Sequence, residues 1–223
     1  MILAVDTSSP LTSVAVVDGT EVIAQRQHLD ARSHAEVTAP LLQEVLGAGG
    51  VEREDVQFIA CGVGPGPYTG LRVGIASALA IGLAWDVPVV GLCSLDAIAE
   101  RAVDSARSTG FRVAVDARRS EVYWAEYDAS GERIDGPRVE GWSQVEGEFA
   151  DWIGPFDTYP EASWLARRVG RLLSRGDVVS HVDLRLDVHG SDGASTANAL
   201  RGASLLAPAP LYLRRPDAQE RKP

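Results

Sequence analysis

Residues 62–74 read GVGPGPYTGLRVG, a stretch with five glycines and two prolines in thirteen positions. Neither a helix nor a strand runs through it, because glycine supplies positive φ and proline fixes φ. The apolar run 56–61 before it predicts a buried strand, and the small residues of 71–83 after it predict a close-packed helix. A loop between such a strand and helix can point backbone N–H groups at an anion, or it can hold the helix close to the sheet.

Two common phosphate-binding loops are excluded for this stretch. No Gly-Lys-Ser/Thr follows, as a P-loop requires, and Thr69 stands where the third glycine of a dinucleotide-binding loop belongs. The candidate residues of the glycine loop are Gly64, Gly66, Thr69 and Gly70.

The composition is that of a globular, acidic protein. The chain has 223 residues, enough for one large domain or two small ones, and its net charge is −10. Such a chain is a poor nucleic-acid binder on its own, since attraction to phosphate needs clustered cations. Cys61 and Cys93 lie in apolar segments and are expected to be buried. The chain start lacks the basic residues of a signal peptide, and we identify no apolar run of membrane-spanning length, so we expect a cytoplasmic protein.

The first half of the chain alternates between strand and helix patterns. Three strands joined by tight turns come first, and helices then alternate with further strands. This order predicts a mixed β-sheet flanked by helices. A capping box, Ser33 with Glu36, is expected to start the first helix. The predicted elements are strands at 2–6, 12–17, 21–27, 56–61 and 88–92, and helices at 33–46, 70–84 and 94–103.

The pattern then begins again 110 positions later. Residues 112–116 (RVAVD) echo residues 2–6 (ILAVD), and Ala125 matches Ala15 at the same offset. The shared offset predicts an internal duplication.

The duplication predicts two lobes, at residues 1–105 and 106–223. The second lobe is partly degenerate, because the stretch between its first strands and the helix predicted at 161–173 shows no clear periodicity. A mobile loop is expected at 190–194 and a flexible polar tail at 215–223.

Few residues suggest chemistry. Asp6, Thr7 and Ser8 end the first strand and form either a phosphate- or magnesium-facing hairpin or a self-capped Asx turn. Residues 116–121 (DARRSE) form either an Arg–carboxylate cluster or a charged turn at a sheet edge. The four histidines give no helical pair, and no Cys-x-x-Cys or Gly-x-Ser-x-Gly occurs, so local spacing predicts neither a metal site nor an acyl-transfer nucleophile.

Several segments of the chain resemble the TsaB (YeaZ) family. The similarity covers residues 1–127 well and 128–205 poorly. It implies an α/β fold of the actin/hexokinase/Hsp70-like (ASKHA), ribonuclease H-like type, with two duplicated lobes that each hold a mixed sheet flanked by helices. The segments are ILAVDTS at 2–8, GPGPYTGLRVG at 64–74, DAR at 116–118, EVYWAEY at 121–127 and PLYLR at 210–214.

The resemblance also implies a role in tRNA maturation. The family helps to place threonylcarbamoyl on the adenosine next to the anticodon of tRNAs that read ANN codons. It acts as a non-catalytic partner of a larger paralogue, TsaD, and the ATPase TsaE joins the complex. We therefore expect no catalytic residue, metal or cofactor in this chain, contact with tRNA only through the partner, and no contact with membranes.

The residues themselves agree with this division of labour. The paralogue carries a His-x-x-x-His metal pair after the strand that follows the glycine-loop helix. An ungapped placement puts these positions on Ser94 and Ile98, which cannot hold a metal. A counterpart of the second-lobe glycine motif that holds nucleotide in such folds is not evident between 131 and 210.

The family pairs with itself or with the paralogue through first-lobe helices, which map to about 34–46 and 70–84. Each helix can bury against its own sheet or present a face to a partner. We expect a homodimer when the chain is alone and a heterodimer with the paralogue. The predicted partner contacts are Val37, Leu41, Val45, Ile75 and Leu79.

Two other functions remain open at this point. One is a small-molecule kinase or ATPase that uses Asp6 and Thr7 at a phosphate. The other is a Gcp-like metalloprotease, against which the missing histidine pair argues.

Overall fold

A computed structural model describes residues 1–105, 107–147, 151–176 and 205–213 of the chain. The loop predicted at 190–194 and the tail predicted at 215–223 lie outside these residues. The helices are α1 His34–Gly49, α2 Tyr68–Trp85, α3 Ser94–Val103, α4 Trp142–Val145 and α5 Ala162–Ser174, with a 3-10 turn at Arg53–Asp55. The strands are β1 Ile2–Asp6, β2 Leu11–Asp18, β3 Glu21–Leu29, β4 Phe58–Gly62, β5 Val89–Leu92, β6 Phe111–Asp116, β7 Glu121–Tyr127, β8 Arg133–Gly141 and β9 Trp152–Ile153.

The first sheet has the strand order β3-β2-β1-β4-β5. β1 pairs antiparallel with β2 and parallel with β4, so the sheet is mixed, as the sequence predicts. Successive residues of a strand point to opposite faces. Leu3 and Val5 accordingly pack with residues of α1 and α2, whereas Ala4 packs with residues of α5.

The second sheet, β8-β7-β6-β9, repeats this plan. β7 pairs antiparallel with both β6 and β8, and β6 pairs parallel with β9. The hairpin registers differ by one residue, because Asp6 pairs with Ser13 but Asp116 pairs with Val122. The α/β fold with two duplicated mixed sheets is therefore confirmed. The sequence did not predict β8, since most of its residues are half-buried or exposed and show no alternation.

Helix α5 follows the second sheet along the chain but packs on the first. Its buried residues Leu165, Val169 and Leu172 form one core cluster with Ala4 and Ala60. The small side chains on the sheet let the helix approach closely. The lobe boundary at residues 105/106 stays a prediction, and the first sheet takes one of its covering helices from beyond that boundary.

The ends of α1 differ from those predicted. Ser33 makes no side-chain cap, and its hydroxyl instead donates to the backbone oxygen of Asp30 at 3.1 Å. The helix continues past Leu46 and stops at Gly50, whose φ of +59° is the left-handed conformation that glycine adopts readily. The capping box was thus wrong, while the helix itself was predicted correctly.

Residues 205–213, named here the C-terminal strap, run along the β5 edge of the first sheet. Gly91 and Leu206 exchange two backbone hydrogen bonds of 2.8 and 2.9 Å. Farther on, the N–H of Leu211 donates to the oxygen of Val63 at 2.8 Å. The strap covers a strand edge that would otherwise present unpaired backbone groups, and it brings the end of the described chain to the glycine loop.

By length and composition alone, α2 would pass for a membrane-spanning helix, which the sequence analysis did not recognise. In the fold it packs on β1 and β4, and Gly82 lies directly against Val89. One face of α2 therefore packs against its own sheet, and the opposite face is exposed to solvent.

Candidate functional site

The glycine loop is folded around the turn of residues 6–8. A Cβ atom added at any of four loop glycines would overlap an atom of that turn. The glycines therefore serve the close approach of one backbone to another, which only a residue without a side chain permits. These glycines, at every fourth position, are Gly62, Gly66, Gly70 and Gly74.

Thr7 fastens the turn to the start of α2. Its hydroxyl donates to the backbone oxygen of Gly70 at 2.7 Å and accepts from the N–H of Gly74 at 3.0 Å. These are the two groups that an undisturbed α-helix would bond to each other, so the hydroxyl is inserted into the helical ladder. Thr7 is fully buried, and both hydrogen-bonding functions of its side chain are used within the chain.

Asp6 is likewise satisfied by its own chain. Its Oδ1 accepts from the N–H and the hydroxyl of Ser8 at 2.8 and 2.7 Å, and its Oδ2 accepts from the hydroxyl of Ser94 at 2.6 Å. Complete burial raises the pKa of Asp6 above its usual range, although the bonds from Ser94 and Ser8 act in the opposite direction. Of the two interpretations of this turn, the structure has the Asx turn, and a vestigial phosphate role for Asp6, Thr7 and Ser8 stays a prediction.

The second sheet carries the same turn in an open form. Asp116 accepts from the N–H of Arg118 at 2.8 Å, the equivalent of the Asp6–Ser8 bond 110 positions earlier. Arg118, Arg119 and Ser120 all have positive φ, and Asp116 is exposed. The segment is thus a charged turn at the end of a hairpin.

The two positions on which the ungapped placement puts the paralogue's metal ligands lie inside the fold. Ser94 is buried, accepts from the N–H of Gly64 at 3.2 Å and donates to Asp6, so it ties α3 to the glycine loop. Ile98 is packed in the hydrophobic core. Among the described residues, no three His, Cys, Asp or Glu side chains come together as metal ligands would.

The structure describes two of the four histidines. His28 is exposed on β3, whereas His34 is buried at the first position of α1 and shares a 2.7 Å hydrogen bond with the hydroxyl of Thr12 through Nδ1. Burial lowers the pKa of His34. His181 and His189 lie outside the described residues.

The predicted partner contacts are mostly inside the chain. Leu41, Val45 and Ile75 are buried in the first core, so they cannot touch a partner in this arrangement. Val37 and Leu79 are half-buried beside that core. The partner interface stays a prediction, and three of the five side chains proposed for it are buried in this structure.

The outward face of α2 consists of other residues. Arg72, Ala76, Ala80 and Leu83 follow one another at helical spacing and are exposed, Leu83 by 82%. Nearly every residue of α2 is apolar or small, so apolar periodicity could not identify this face. Arg72 is the one charged residue of the helix and marks the solvent side, a signal that the sequence analysis missed. We name these four residues the α2 face.

At the start of α2 the C-terminal strap adds an aromatic residue. Tyr212 stacks on Tyr68 with ring centroids 4.8 Å apart, and its hydroxyl accepts from Nε of Arg72 at 3.1 Å. The guanidinium carbon of Arg72 lies 3.8 Å from the centre of the Tyr68 ring. These three residues form the tyrosine–arginine cluster, which extends the α2 face toward the glycine loop.

The two sheets are joined by buried polar contacts. Asp96 of α3 accepts from the hydroxyl of Tyr127 at 2.7 Å and from Nε of Arg133 at 3.0 Å, with both charged side chains less than a tenth exposed. Removing either partner would leave a buried charge uncompensated, so the contact holds the sheets in one arrangement. A second set of ion pairs nearby consists of Glu100, Glu132, Arg168 and Arg171.

Comparisons with known proteins agree with this architecture. The family model described as TsaD: tRNA N6-adenosine threonylcarbamoyltransferase matches residues 21–149. The chain is 32% identical over 189 residues to the Escherichia coli tRNA threonylcarbamoyladenosine biosynthesis protein TsaB, covering 80% of both chains. It is 40% identical over 147 residues to an uncharacterized protein of Mycobacterium tuberculosis, covering 65% of this chain and 67% of that one.

A solved structure, YeaZ from Pseudomonas aeruginosa, superposes with a TM-score of 0.68 at 27% identity. The superposition covers 79% of this chain and 93% of YeaZ. The likeness supports the assignment of both sheets to an ASKHA-type fold, which the family resemblance had implied.

Proposed function

The chain belongs to the TsaB (YeaZ) family of tRNA threonylcarbamoyladenosine biosynthesis proteins, and we propose that it is the non-catalytic subunit that binds and activates a TsaD-like paralogue. In this role it enables threonylcarbamoyl transfer to the adenosine beside the anticodon of ANN-reading tRNAs, while the paralogue performs the chemistry.

One observation carries the proposal. The turn of Asp6, Thr7 and Ser8, where an ASKHA enzyme would meet phosphate, is buried beneath the glycine loop, and its polar groups bond within the chain. A phosphate or magnesium ion would have to displace these bonds and the loop glycines together. The closed turn favours a scaffold over a small-molecule kinase or ATPase.

The residue types at the metal positions favour the same conclusion. Serine and isoleucine replace the two histidines, and Ser94 already links Asp6 to Gly64. Metal-dependent transfer or a Gcp-like protease would need donors that these positions do not supply. On this proposal, the chain matches the transferase family model because it is a paralogue with the same fold, without the transferase activity.

The α2 face supplies a surface for such a partner. Beyond Arg72 it is an exposed row of small and apolar residues, on a helix whose other sides pack on its sheet and on α1. Small residues permit close approach of a second helix. We propose that the chain forms a heterodimer with the paralogue through this face and a homodimer when alone. A TsaE-like ATPase would join the larger complex.

The charge of the chain bears on its other contacts. A net charge of −10 opposes direct binding to tRNA, so we propose that tRNA is held mainly by the partner, in the cytoplasm. Tight, salt-sensitive binding of tRNA to the isolated chain would contradict this part of the proposal.

Light scattering after size exclusion tests the proposal. The chain is measured alone and mixed with the TsaD-like paralogue from the same cell, and a one-to-one complex is expected. Leu83→Asp should abolish the complex, whereas Leu29→Asp, at an exposed leucine of β3, should leave it intact. Separate elution of the two wild-type proteins, with and without ATP and magnesium, would overturn the proposal.

A further inference from the structure

Arg72 lies on the outward side of α2, where, among the described residues, tyrosines rather than a carboxylate hold its guanidinium. Among the described residues, no carboxylate lies within 4.0 Å of its guanidinium, whose hydrogen bond and ring contact are both to tyrosines. Arg101 and Arg138, which are also partly exposed, each reach a carboxylate within 2.8 Å.

We propose that Arg72 is a fixed anchor that takes a carboxylate of the partner subunit, and that the α2 face thereby selects its partner. The inference rests on the proposed function and specifies the chemistry of its interface. The partner surface should present an Asp or Glu opposite Arg72 and a small-residue or apolar helix opposite Ala76, Ala80 and Leu83.

The tyrosine–arginine cluster prepares Arg72 for this contact. The hydroxyl of Tyr212 accepts from Nε of Arg72, and the Tyr68 ring lies against the guanidinium. Within the part of the chain that the structure describes, no acceptor bonds NH1 or NH2, so these groups can donate to a partner. An arginine fork of this kind binds a carboxylate with two hydrogen bonds. Because the side chain is already ordered, less conformational entropy is lost on binding.

The position of the cluster also suits an anchor. Arg72 begins the same outward row that continues through Ala76 and Ala80 to Leu83. Arginine and tyrosine are enriched among the residues that dominate interface energies, and small residues around them provide close packing. The strap supplies Tyr212 from 140 positions away, so the end of the described chain takes part in the interface.

The dissociation constant of the complex, measured by titration calorimetry at several salt concentrations, tests the inference. Arg72→Gln should weaken binding by at least about tenfold and reduce its salt dependence, since it removes one charge pair. Arg72→Lys should recover part of the loss, and Tyr212→Phe should weaken binding by about threefold through loss of one orienting hydrogen bond. The control is Arg138→Gln, at an exposed arginine of β8, which should bind like the wild type.

The outcomes separate the two proposals. If the wild type binds and Arg72→Gln binds equally well with the same salt dependence, the anchor is disproved while the proposed function stands. If the wild-type chain itself does not bind the TsaD-like paralogue, both the proposed function and the Arg72 anchor are disproved. Circular dichroism and thermal unfolding of each variant exclude misfolding, and a folded Arg72→Glu variant that still binds like the wild type would also disprove the anchor.

Discussion

The hydroxyl of Ser94 donates a 2.6 Å hydrogen bond to the carboxylate of Asp6, across 88 positions of sequence. The same oxygen accepts from the N–H of Gly64, so one small side chain connects the first strand, the glycine loop and α3. An ungapped placement puts this serine where the family resemblance implies a metal-binding histidine in the paralogue. In this chain the position is used for internal hydrogen bonds.

Ser94→Ala should therefore lower the free energy of unfolding by about 1–3 kcal/mol, because it leaves the buried Asp6 Oδ2 and Gly64 N–H without a partner. Urea denaturation measures the change. Ser174→Ala, which removes an exposed hydroxyl at the end of α5, is the matched control and should change stability by less than about 0.5 kcal/mol. Equal stabilities of the two variants would contradict the proposed bridging role.

Gly74→Ala tests the packing of the glycine loop on the turn. An added methyl at this position would overlap the hydroxyl of Thr7, so we expect a loss of about 1–3 kcal/mol despite the better helix propensity of alanine. Gly47→Ala in α1 is the control, since its Cβ would meet no atom within 4 Å, and it should stabilise by up to about 1 kcal/mol. In thermal unfolding, we expect Gly74→Ala to lower the stability and Gly47→Ala to raise it. A change of the same sign for both substitutions would contradict this prediction.

The sequence predicted the parts of the fold that depend on local patterns. The apolar character of β1 and β2, their turn and the 110-residue offset of β6 follow from residue order alone, and each is present. The glycine loop was located correctly, but its two interpretations could not be separated, because the atoms it packs against lie some sixty positions away.

The outward side of α2 could not be predicted for a different reason. Leu79 and Leu83 are chemically identical, yet Leu83 is 82% exposed and Leu79 is half-buried. In a helix of apolar and small residues, the sequence pattern does not distinguish them. The contact between α5 and the first sheet was also hidden, since it depends on the path of the whole second sheet. Such features are set by tertiary packing rather than by local sequence.

Arg133→Ala should be among the most destabilising single changes in the second sheet. It leaves Asp96 charged, buried and bonded only by Tyr127, a situation that costs about 3–5 kcal/mol. Arg138→Ala on the same strand breaks a partly exposed ion pair with Asp135 and should cost no more than about 1 kcal/mol. Chemical denaturation of both variants measures the contrast, and comparable losses would show that the Asp96 contact does not hold the sheets together.

The final prediction concerns pH and His34, which is buried against Thr12. Burial lowers the pKa of His34 in the folded chain below the value of 6.5 expected when unfolded, against the weaker raising effect of Asp30. Below pH 6.5 the unfolded chain therefore binds the proton first, and the free energy of unfolding falls as the pH drops toward the folded pKa. The slope is at most about 1.4 kcal/mol per pH unit for one such group.

His34→Gln isolates this contribution, because glutamine does not titrate. The stability of the wild type relative to this variant should be constant above pH 7.5 and should decrease between pH 6.5 and 5, as measured by urea denaturation at each pH. His28→Gln, at an exposed histidine of the neighbouring β3, removes only a smaller cause of the lowered His34 pKa and should keep most of the pH dependence. A wild-type advantage over His34→Gln that stays constant down to pH 5 would mean that His34 takes up its proton as easily in the folded chain as in the unfolded one.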